Sequence, residues 1–186
     1  MKGYEVITAL KDLISDKEII VSSNGNISRE VFNLLPQPQV YLRGSMGLPV
    51  PIGLGLALAN PDKQVIVITG DGNFLMGFNS SITTAFYKPK NLKILILDNN
   101  KYFTTGGQET VSSALDYSAF LNSLPLGYKQ SKQASPNEIK NDLSEFLDTK
   151  SFGILHLSIK AGKLQLENIP WHPKEIAQKM VERLTK

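Results

Sequence analysis

The chain reads as an α/β protein, a parallel sheet with helices on both faces. Three observations predict this. Short apolar runs such as Val65-Ile66-Val67-Ile68 and Ile94-Leu95-Ile96-Leu97 lack the alternation of a half-exposed strand, so both of their faces are buried. Stretches with apolar residues at helical spacing alternate with such runs along the 186 residues. Polar, ligand-capable residues follow the two runs directly, as Gly70-Asp71-Gly72 and Asp98-Asn99-Asn100. That is where open α/β sheets bind ligands, at the carboxyl ends of their strands.

Taken in order, Val6, Ile7, Leu10, Leu13 and Ile14 space as an amphipathic helix. Residues 18–21 read as a strand. Residues 47–60 read as a helix opened by Pro49 and Pro51. Its Gly53, Gly55, Ala57 and Ala59 allow close packing on the sheet or on a partner. After the strand at 65–68, a helix opens at Asn73, with Phe74, Phe78, Ile82 and Phe86 recurring every four residues. Ser135-Pro136-Asn137-Glu138 has the form of a capping box with Pro in the first turn, ahead of Ile139, Leu143, Phe146 and Leu147. Residues 152–159 read as a strand and 173–184 as a last helix. One domain over 1–186 accommodates this order.

Composition narrows the class. A length of 186 residues and a hydrophobic content of 41% suit a single globular core. The formal charge of +3 comes without a Lys/Arg run, so no nucleic-acid partner is expected. Cysteine is absent, which removes disulfides, a thiolate nucleophile and iron–sulfur ligands. No stretch reaches about 18 uninterrupted apolar residues and the start does not resemble a signal peptide. The expectation is no membrane partner and a cytoplasmic protein.

The two polar clusters form a spaced pair: Gly70-Asp71-Gly72, then 26 residues, then Asn99-Asn100. This spacing resembles the cofactor site of thiamine diphosphate enzymes. The residue types fit that chemistry. A diphosphate needs its charge neutralised, and Mg²⁺ does this with hard oxygen ligands. Asp71 and the Asn99 side chain each offer one oxygen, and the Lys101 carbonyl a third. Gly70 and Gly72 let the backbone approach phosphates, and a helix opening at Asn73 favours an anion at its amino end.

The resemblance extends through Gly44-Ser45-Met46-Gly47-Leu48-Pro49, through Leu97-Asp98-Asn99-Asn100-Lys101-Tyr102 to Thr105-Gly106-Gly107-Gln108, and to Ile169-Pro170-x-x-Pro173-x-Glu175-Ile176. Over about 21–184 the chain is similar to the β subunits of sulfopyruvate decarboxylase and to the carboxyl-terminal half of phosphonopyruvate decarboxylase. The resemblance implies the diphosphate-binding domain of thiamine enzymes. It implies Asp71, Asn99 and the Lys101 carbonyl as metal ligands, and Met46 as the apolar prop that bends the cofactor. Gly44 matches the carbonyl that meets the aminopyrimidine, with Ser45 beside it. Asn24 and Asn26 match phosphate contacts, and Thr104 and Thr105 a loop over the cofactor. Asn100 departs from the pattern, since relatives often carry Gly there.

In this family the cofactor is activated by a glutamate on a separate pyrimidine-binding domain. A chain of this length has no room for it, so the resemblance implies a split enzyme with a pyrimidine-domain α subunit and a small 2-oxo acid as substrate. Two alternatives stay open: the β subunit of a 2-oxo acid:ferredoxin oxidoreductase, disfavoured by the lack of Cys and by Gly44-Ser45-Met46-Gly47, and a remnant that only binds cofactor or partner. The histidines do not supply a catalytic group. His156 reads as a core or strand-end residue and His172 as a structural or interfacial residue at a helix start. Trp171 reads as a core or interface anchor.

Overall fold

The computed structural model describes residues 1–185. Its strands are β1 (Ile19–Ser22), β2 (Val40–Tyr41), β3 (Val65–Gly70), β4 (Leu92–Asp98), β5 (Lys101–Tyr102), β6 (Gln108–Glu109), β7 (Tyr128–Gln133) and β8 (Gly153–Ser158). Six of them form one parallel sheet in the order β2-β1-β3-β4-β8-β7, while β5 and β6 pair as a small antiparallel hairpin. The helices are α1 (Gly3–Lys11), α2 (Asn26–Leu34), α3 (Pro49–Ala59), α4 (Asp71–Met76), α5 (Phe78–Tyr87), α6 (Tyr117–Ser123), α7 (Ile139–Asp148) and α8 (Pro173–Leu184).

The sheet is buried on both faces because its strands are apolar at odd and even positions alike. Ile66, Ile68, Leu95, Leu97, Leu155 and Leu157 face a core shared with α1, α2 and α7. Val65, Val67, Ile94, Ile96 and Ile154 face the opposite core, shared with α3 and α6. Strand period two sends neighbouring residues to opposite faces. Helix α8 serves both cores, through Ile176 on one side and Met180 on the other.

The parallel sheet and the last helix match the sequence reading, and three details differ. The predicted single helix after Asn73 is two helices, α4 and α5. The break falls at Gly77, where an added Cβ would lie 2.1 Å from the Gly47 carbonyl oxygen, so a loop wedges between the two segments. Ile82 and Phe86, which helped predict that helix, are 50% and 80% exposed rather than core. The capping box at Ser135 does not form: α7 starts at Ile139, and the Ser135 carbonyl accepts from the Glu138 and Ile139 N–H groups in a preceding turn. The first helix ends at Lys11, leaving Leu13 and Ile14 beyond it.

The strand order reverses direction twice, at β2 and at β7, and the first reversal opens the cleft. After β1 the chain goes to β2 on one side, then crosses to β3 on the other. A reversal of this kind parts the loops at the carboxyl ends of β1 and β3 and opens a crevice there.

An irregular strap after β8 returns across α1 and α2. Lys160 N–H donates to the Met1 carbonyl at 2.7 Å, Asn33 Nδ2 donates to the Glu167 carbonyl at 3.3 Å, and Arg43 Nη1 donates to the Trp171 carbonyl at 3.0 Å. Trp171 packs edge-on against Phe32, with ring centres 5.1 Å apart, and so acts as a core anchor. His172 caps α8. Beneath the strap lies Glu30 of α2, only 3% exposed. Burial pushes its carboxyl up to about 7, against the opposing effects of the Leu164 N–H bond and the Arg29 charge.

Two stability measurements check this packing. Gly53 of α3 lies on β3, where an added Cβ would come 2.2 Å from Val67 Cγ2. Gly53→Ala is expected to cost about 1–3 kcal/mol by overpacking, read as a lower denaturant midpoint. Glu30 gives a pH signature. Its folded-state acid is raised, so the unfolded chain ionises it first and stability falls as pH rises from about 4.5 to about 7. Glu30→Gln cannot ionise. Its stability relative to the parent chain should therefore climb across that window and level off above it, in denaturation curves at pH 5 and pH 8.

Candidate active site

The crevice at the strand reversal is a cleft of about 160 Å³, lined by Ser23–Ile27 after β1, by Gly70–Asn73 after β3, and by Asn99 and 101–105 after β4. Three neighbouring strand ends therefore converge on one volume. Met46 enters from the loop after β2, and Glu30, Gly3, Ile159 and Gly162 line the same cleft.

Asp71 is the first residue of α4 and is 2% exposed. The Thr110 hydroxyl donates to its Oδ2. Burial pushes the Asp71 carboxyl up to about 6; the Thr110 bond opposes this, and the nearby Asp98 charge adds to it. The Asn99 N–H also donates to this carboxylate, which places the predicted acid and amide side by side. Asn99 Oδ1 accepts from the Lys101 N–H at 2.9 Å, an Asx turn that shapes the segment carrying the Lys101 carbonyl. Asn100 adopts the left-handed conformation, φ 57°. That explains its departure from the family pattern, because Asn and Gly both tolerate this conformation.

Asn73 knits the loops together. Its Oδ1 accepts from the Gly47 N–H at 2.8 Å and its Nδ2 donates to Asn24 Oδ1 at 2.7 Å. Asn73 and Asn24 line the cleft, but their amides are turned largely to each other. Packing requires a glycine at 72, since a Cβ there would lie 2.3 Å from the Tyr102 ring. Thr104 Oγ1 accepts from the Asn26 N–H at 3.2 Å, so the loop between β5 and β6 closes onto the amino end of α2. Gly25 precedes that helix with φ +79°, and a side chain there would collide with Thr104. Of the predicted residues, Asn24, Asn26, Met46, Gly70, Asp71, Gly72, Asn73, Asn99, Lys101, Thr104 and Thr105 line the cleft, while Gly44 and Ser45 sit outside it on an exposed loop.

Behind the cleft lies a polar network that periodicity does not reveal. Ser112 Oγ donates to Asp98 Oδ2 at 2.6 Å, His156 Nε2 lies 2.9 Å from the same oxygen, and His156 Nδ1 lies 2.8 Å from Ser131 Oγ. Tyr117 stacks on His156 with ring centres 3.7 Å apart. Burial pushes the Asp98 carboxyl up, but bonds from His156, Ser112 and the Asn100 N–H outweigh it and hold Asp98 below the usual range. His156 is thus a satisfied strand histidine, as its sequence context implies. Glu30, Thr110 and Ser112 were not visible as site residues. Only the register of distant segments brings them here.

The donor set tests what the cleft could hold. Asp71 is a buried carboxylate with a single side-chain hydrogen-bond partner among the described residues, and that partner is a neutral hydroxyl. A buried anion so placed calls for a cation. Carboxylate, amide and carbonyl oxygens suit a hard ion such as Mg²⁺. No group of three or more His, Cys, Asp or Glu that could hold a metal gathers among the described residues. An ion at Asp71 would therefore need oxygens from a bound anion such as a diphosphate.

Comparison with known proteins agrees with this geometry. Residues 24–156 match the family described as thiamine pyrophosphate enzyme, C-terminal TPP binding domain. The chain is 36% identical to phosphonopyruvate decarboxylase of Streptomyces hygroscopicus over 96% of its own length, yet it spans only 45% of that protein. It is 32% identical to sulfopyruvate decarboxylase subunit beta of Methanothermobacter thermautotrophicus, covering 99% of this chain and 96% of that one. A solved structure from Mycobacterium smegmatis, assigned to the thiamin diphosphate-dependent enzymes, shares the fold with a TM-score of 0.69 over 87% of this chain and 32% of its own, at 22% identity. The match spans most of the residues that line the cleft, and the chain belongs to the thiamine pyrophosphate enzymes through their C-terminal TPP binding domain.

Proposed function

We propose that this chain is the β subunit of a split thiamine diphosphate-dependent 2-oxo acid decarboxylase, converting 3-sulfopyruvate to sulfoacetaldehyde and carbon dioxide. The observation that carries this is a half-site: a cleft at three strand ends with the buried Asp71 carboxylate, whose one side-chain partner is a neutral hydroxyl, beside Asn99. Drug-sized ligands usually occupy roughly 300–1,000 Å³, so a cleft of about 160 Å³ encloses part of such a cofactor and leaves the rest for a second subunit. Near-complete coverage of a relative named as a β subunit supports the same reading. A phosphonopyruvate decarboxylase is a comparably similar relative, which keeps that substrate as the second reading.

Each residue then has a task. Asp71, the Asn99 amide and the Lys101 carbonyl hold Mg²⁺ against the diphosphate. The amino end of α2 has no side-chain cap at its Gly25 N-cap and favours phosphate there, while its Asn26 N–H is held by Thr104. Gly70, Gly72 and Asn73 form the floor, with Asn24 beside them. Met46 props the ring, Gly44 and Ser45 meet the part of the cofactor that lies outside the cleft, and Thr104 and Thr105 cover the phosphates and exclude water. When bound, thiamine diphosphate supplies the carbon nucleophile and the electron sink that 2-oxo acid decarboxylation requires.

The partner is a pyrimidine-domain α subunit that supplies the activating glutamate. Its seat is the paired outer face of α3 and α5. Leu58 of α3 and Ile82 and Phe86 of α5 are 51%, 50% and 80% exposed there, and Leu48 before α3 and Met76 at the end of α4 are 45% and 62% exposed. This face continues from the cleft through Met46 and Gly47, which packs on Gly77. Helix α3 uses Gly53 and Ala57 inward and leaves Gly55, Leu58 and Ala59 outward, a division that suits two packing partners. The same reading treats 1–186 as one diphosphate-binding domain working in the cytoplasm. No described helix is long and apolar enough to cross a membrane.

Two measurements test this. Asp71→Ala in the assembled enzyme should keep its fold and weaken Mg²⁺-dependent binding of thiamine diphosphate by at least about tenfold, from the loss of a charged partner; calorimetry showing unchanged affinity would remove Asp71 from the metal site. The purified chain with cofactor, Mg²⁺ and a panel of 2-oxo acids should release no carbon dioxide. Adding a pyrimidine-domain subunit should restore release, fastest from sulfopyruvate. Turnover by the chain alone, free of partner by mass spectrometry, would overturn the split site, and faster turnover of phosphonopyruvate would reassign the substrate.

A further inference from the structure

Asp71 and Asp98 end neighbouring strands at almost the same level, since Gly70 pairs with Leu97 in the parallel register. They are 2% and 4% exposed. Two buried carboxylates this close repel each other and each requires donors. One short segment serves both. Directly after β6 the chain turns through a single 3-10 turn at Val111–Ala114. Thr110 at its start donates its hydroxyl to Asp71 Oδ2, and Ser112, two residues on, donates at 2.6 Å to Asp98 Oδ2. The segment is itself fixed. Thr110 N–H donates to the Asn100 carbonyl at 3.0 Å, Ser112 N–H donates to Thr110 Oγ1 at 3.3 Å, and the Tyr117 hydroxyl lies 3.0 Å from Ser112 Oγ.

We propose that Thr110 and Ser112 form a hydroxyl clamp that positions the metal-binding face of the cleft: Thr110 orients the Asp71 carboxylate, and Ser112 fixes the Asp98 turn that presents Asn99. Both are positioning residues, acting through Asp71 and Asp98 rather than on the cofactor. The two carboxylates are held differently. Asp98 has three donors, including His156 and the Asn100 N–H, and is fully committed to structure. Asp71 takes the Asn99 N–H and one side-chain donor, Thr110, against the two side-chain donors of Asp98. The Thr110 bond is the one side-chain contact among the described residues that orients this carboxylate, and no cationic side chain neutralises it. The backbone bond from Thr110 to the Asn100 carbonyl joins the clamp to the turn carrying the second ligand, so acid and amide are set by one segment. The hairpin that ends at Thr110 also carries Thr104 over the amino end of α2, so closure of that loop and the orientation of Asp71 share one anchor.

The inference rests on the cofactor reading above, and the test separates the two. Mn²⁺, standing in for Mg²⁺, is titrated by calorimetry into the assembled enzyme with thiamine diphosphate present, alongside a thermal melt of each variant. Thr110→Val keeps the shape and removes the hydroxyl; metal affinity should fall by at least about tenfold, the usual weight of a bond to a charged group. Thr110→Ser restores the donor and should return affinity to near the parent value. Should Thr110→Val fail to fold, Ser112→Ala supplies the measurement, with a smaller fall in affinity expected because Asp98 keeps His156. Parent-like metal affinity in a folded Thr110→Val or Ser112→Ala protein, even with a lowered melt, would reduce the pair to ordinary structural residues. If the parent enzyme binds no Mn²⁺ with the cofactor present, the cofactor reading falls and the clamp with it. If the parent binds and Asp71→Ala does not, while Thr110→Val matches the parent, only the clamp falls.

Discussion

The structure turns on two buried carboxylates at adjacent strand ends and on how differently they are satisfied. Asp98 receives Ser112, His156 and a backbone N–H, and its carboxyl is held low despite its burial. Asp71, as deeply buried, has one hydroxyl among side chains and is pushed up to about 6. Under the proposed function Asp98 is the structural acid and Asp71 the one that meets the ligand. The family motif singles out the same residue, Asp71, on independent grounds. The Asx turn at Asn99 and the closure of Thr104 on α2 lie around that carboxylate in the same cleft.

The sheet makes this arrangement affordable to the fold. Its strands are apolar on both faces, so helices cover both sides and the polar chemistry is confined to the strand ends. The reversal between β1 and β3 parts the loops at one place, and all three clusters that line the cleft emerge there. Small residues set the fit at this end: Gly53 lets α3 lie on β3, and Gly77 meets Gly47 so that the loop carrying Met46 reaches the cleft. The same packing turns the outer sides of α3 and α5, with Leu58, Ile82 and Phe86, away from the core. Under the proposed function this exposed apolar face is the seat of the partner subunit.

The period-four apolar stripe through α4 and α5 shows where sequence patterns mislead. Phe74 and Phe78 pack into the core and against Phe120, with Phe78 and Phe120 ring centres 4.6 Å apart, whereas Ile82 and Phe86 continue the pattern into solvent. Periodicity reports that residues share a helix face and does not say whether that face meets this chain or another. The Ser135 capping signal fails for a related reason: Lys132 and the following turn already tie Glu138 and Asp142 together, at 3.1 and 3.0 Å, and the helix begins one turn later.

The sequence by itself determined the parallel sheet, the last helix, the placing of Asp71 and Asn99 at strand ends, and the family. Those features rest on local signals: unbroken apolar runs, a Pro at a helix start, and a motif whose spacing is set by one strand–helix–strand unit. It also placed His156 and Trp171 correctly as packed residues, from their apolar surroundings. Only the tertiary structure decided that Thr110, Ser112 and Glu30 belong to the site and its support, that Asn73 spends its amide on holding Asn24 and Gly47, and that Gly44 and Ser45 lie outside the cleft. Thr110 bonds to a residue 39 positions away and His156 to one 58 away. Contacts of that span come from strand order and register, which fix which distant segments meet, and no local pattern of residue types encodes them.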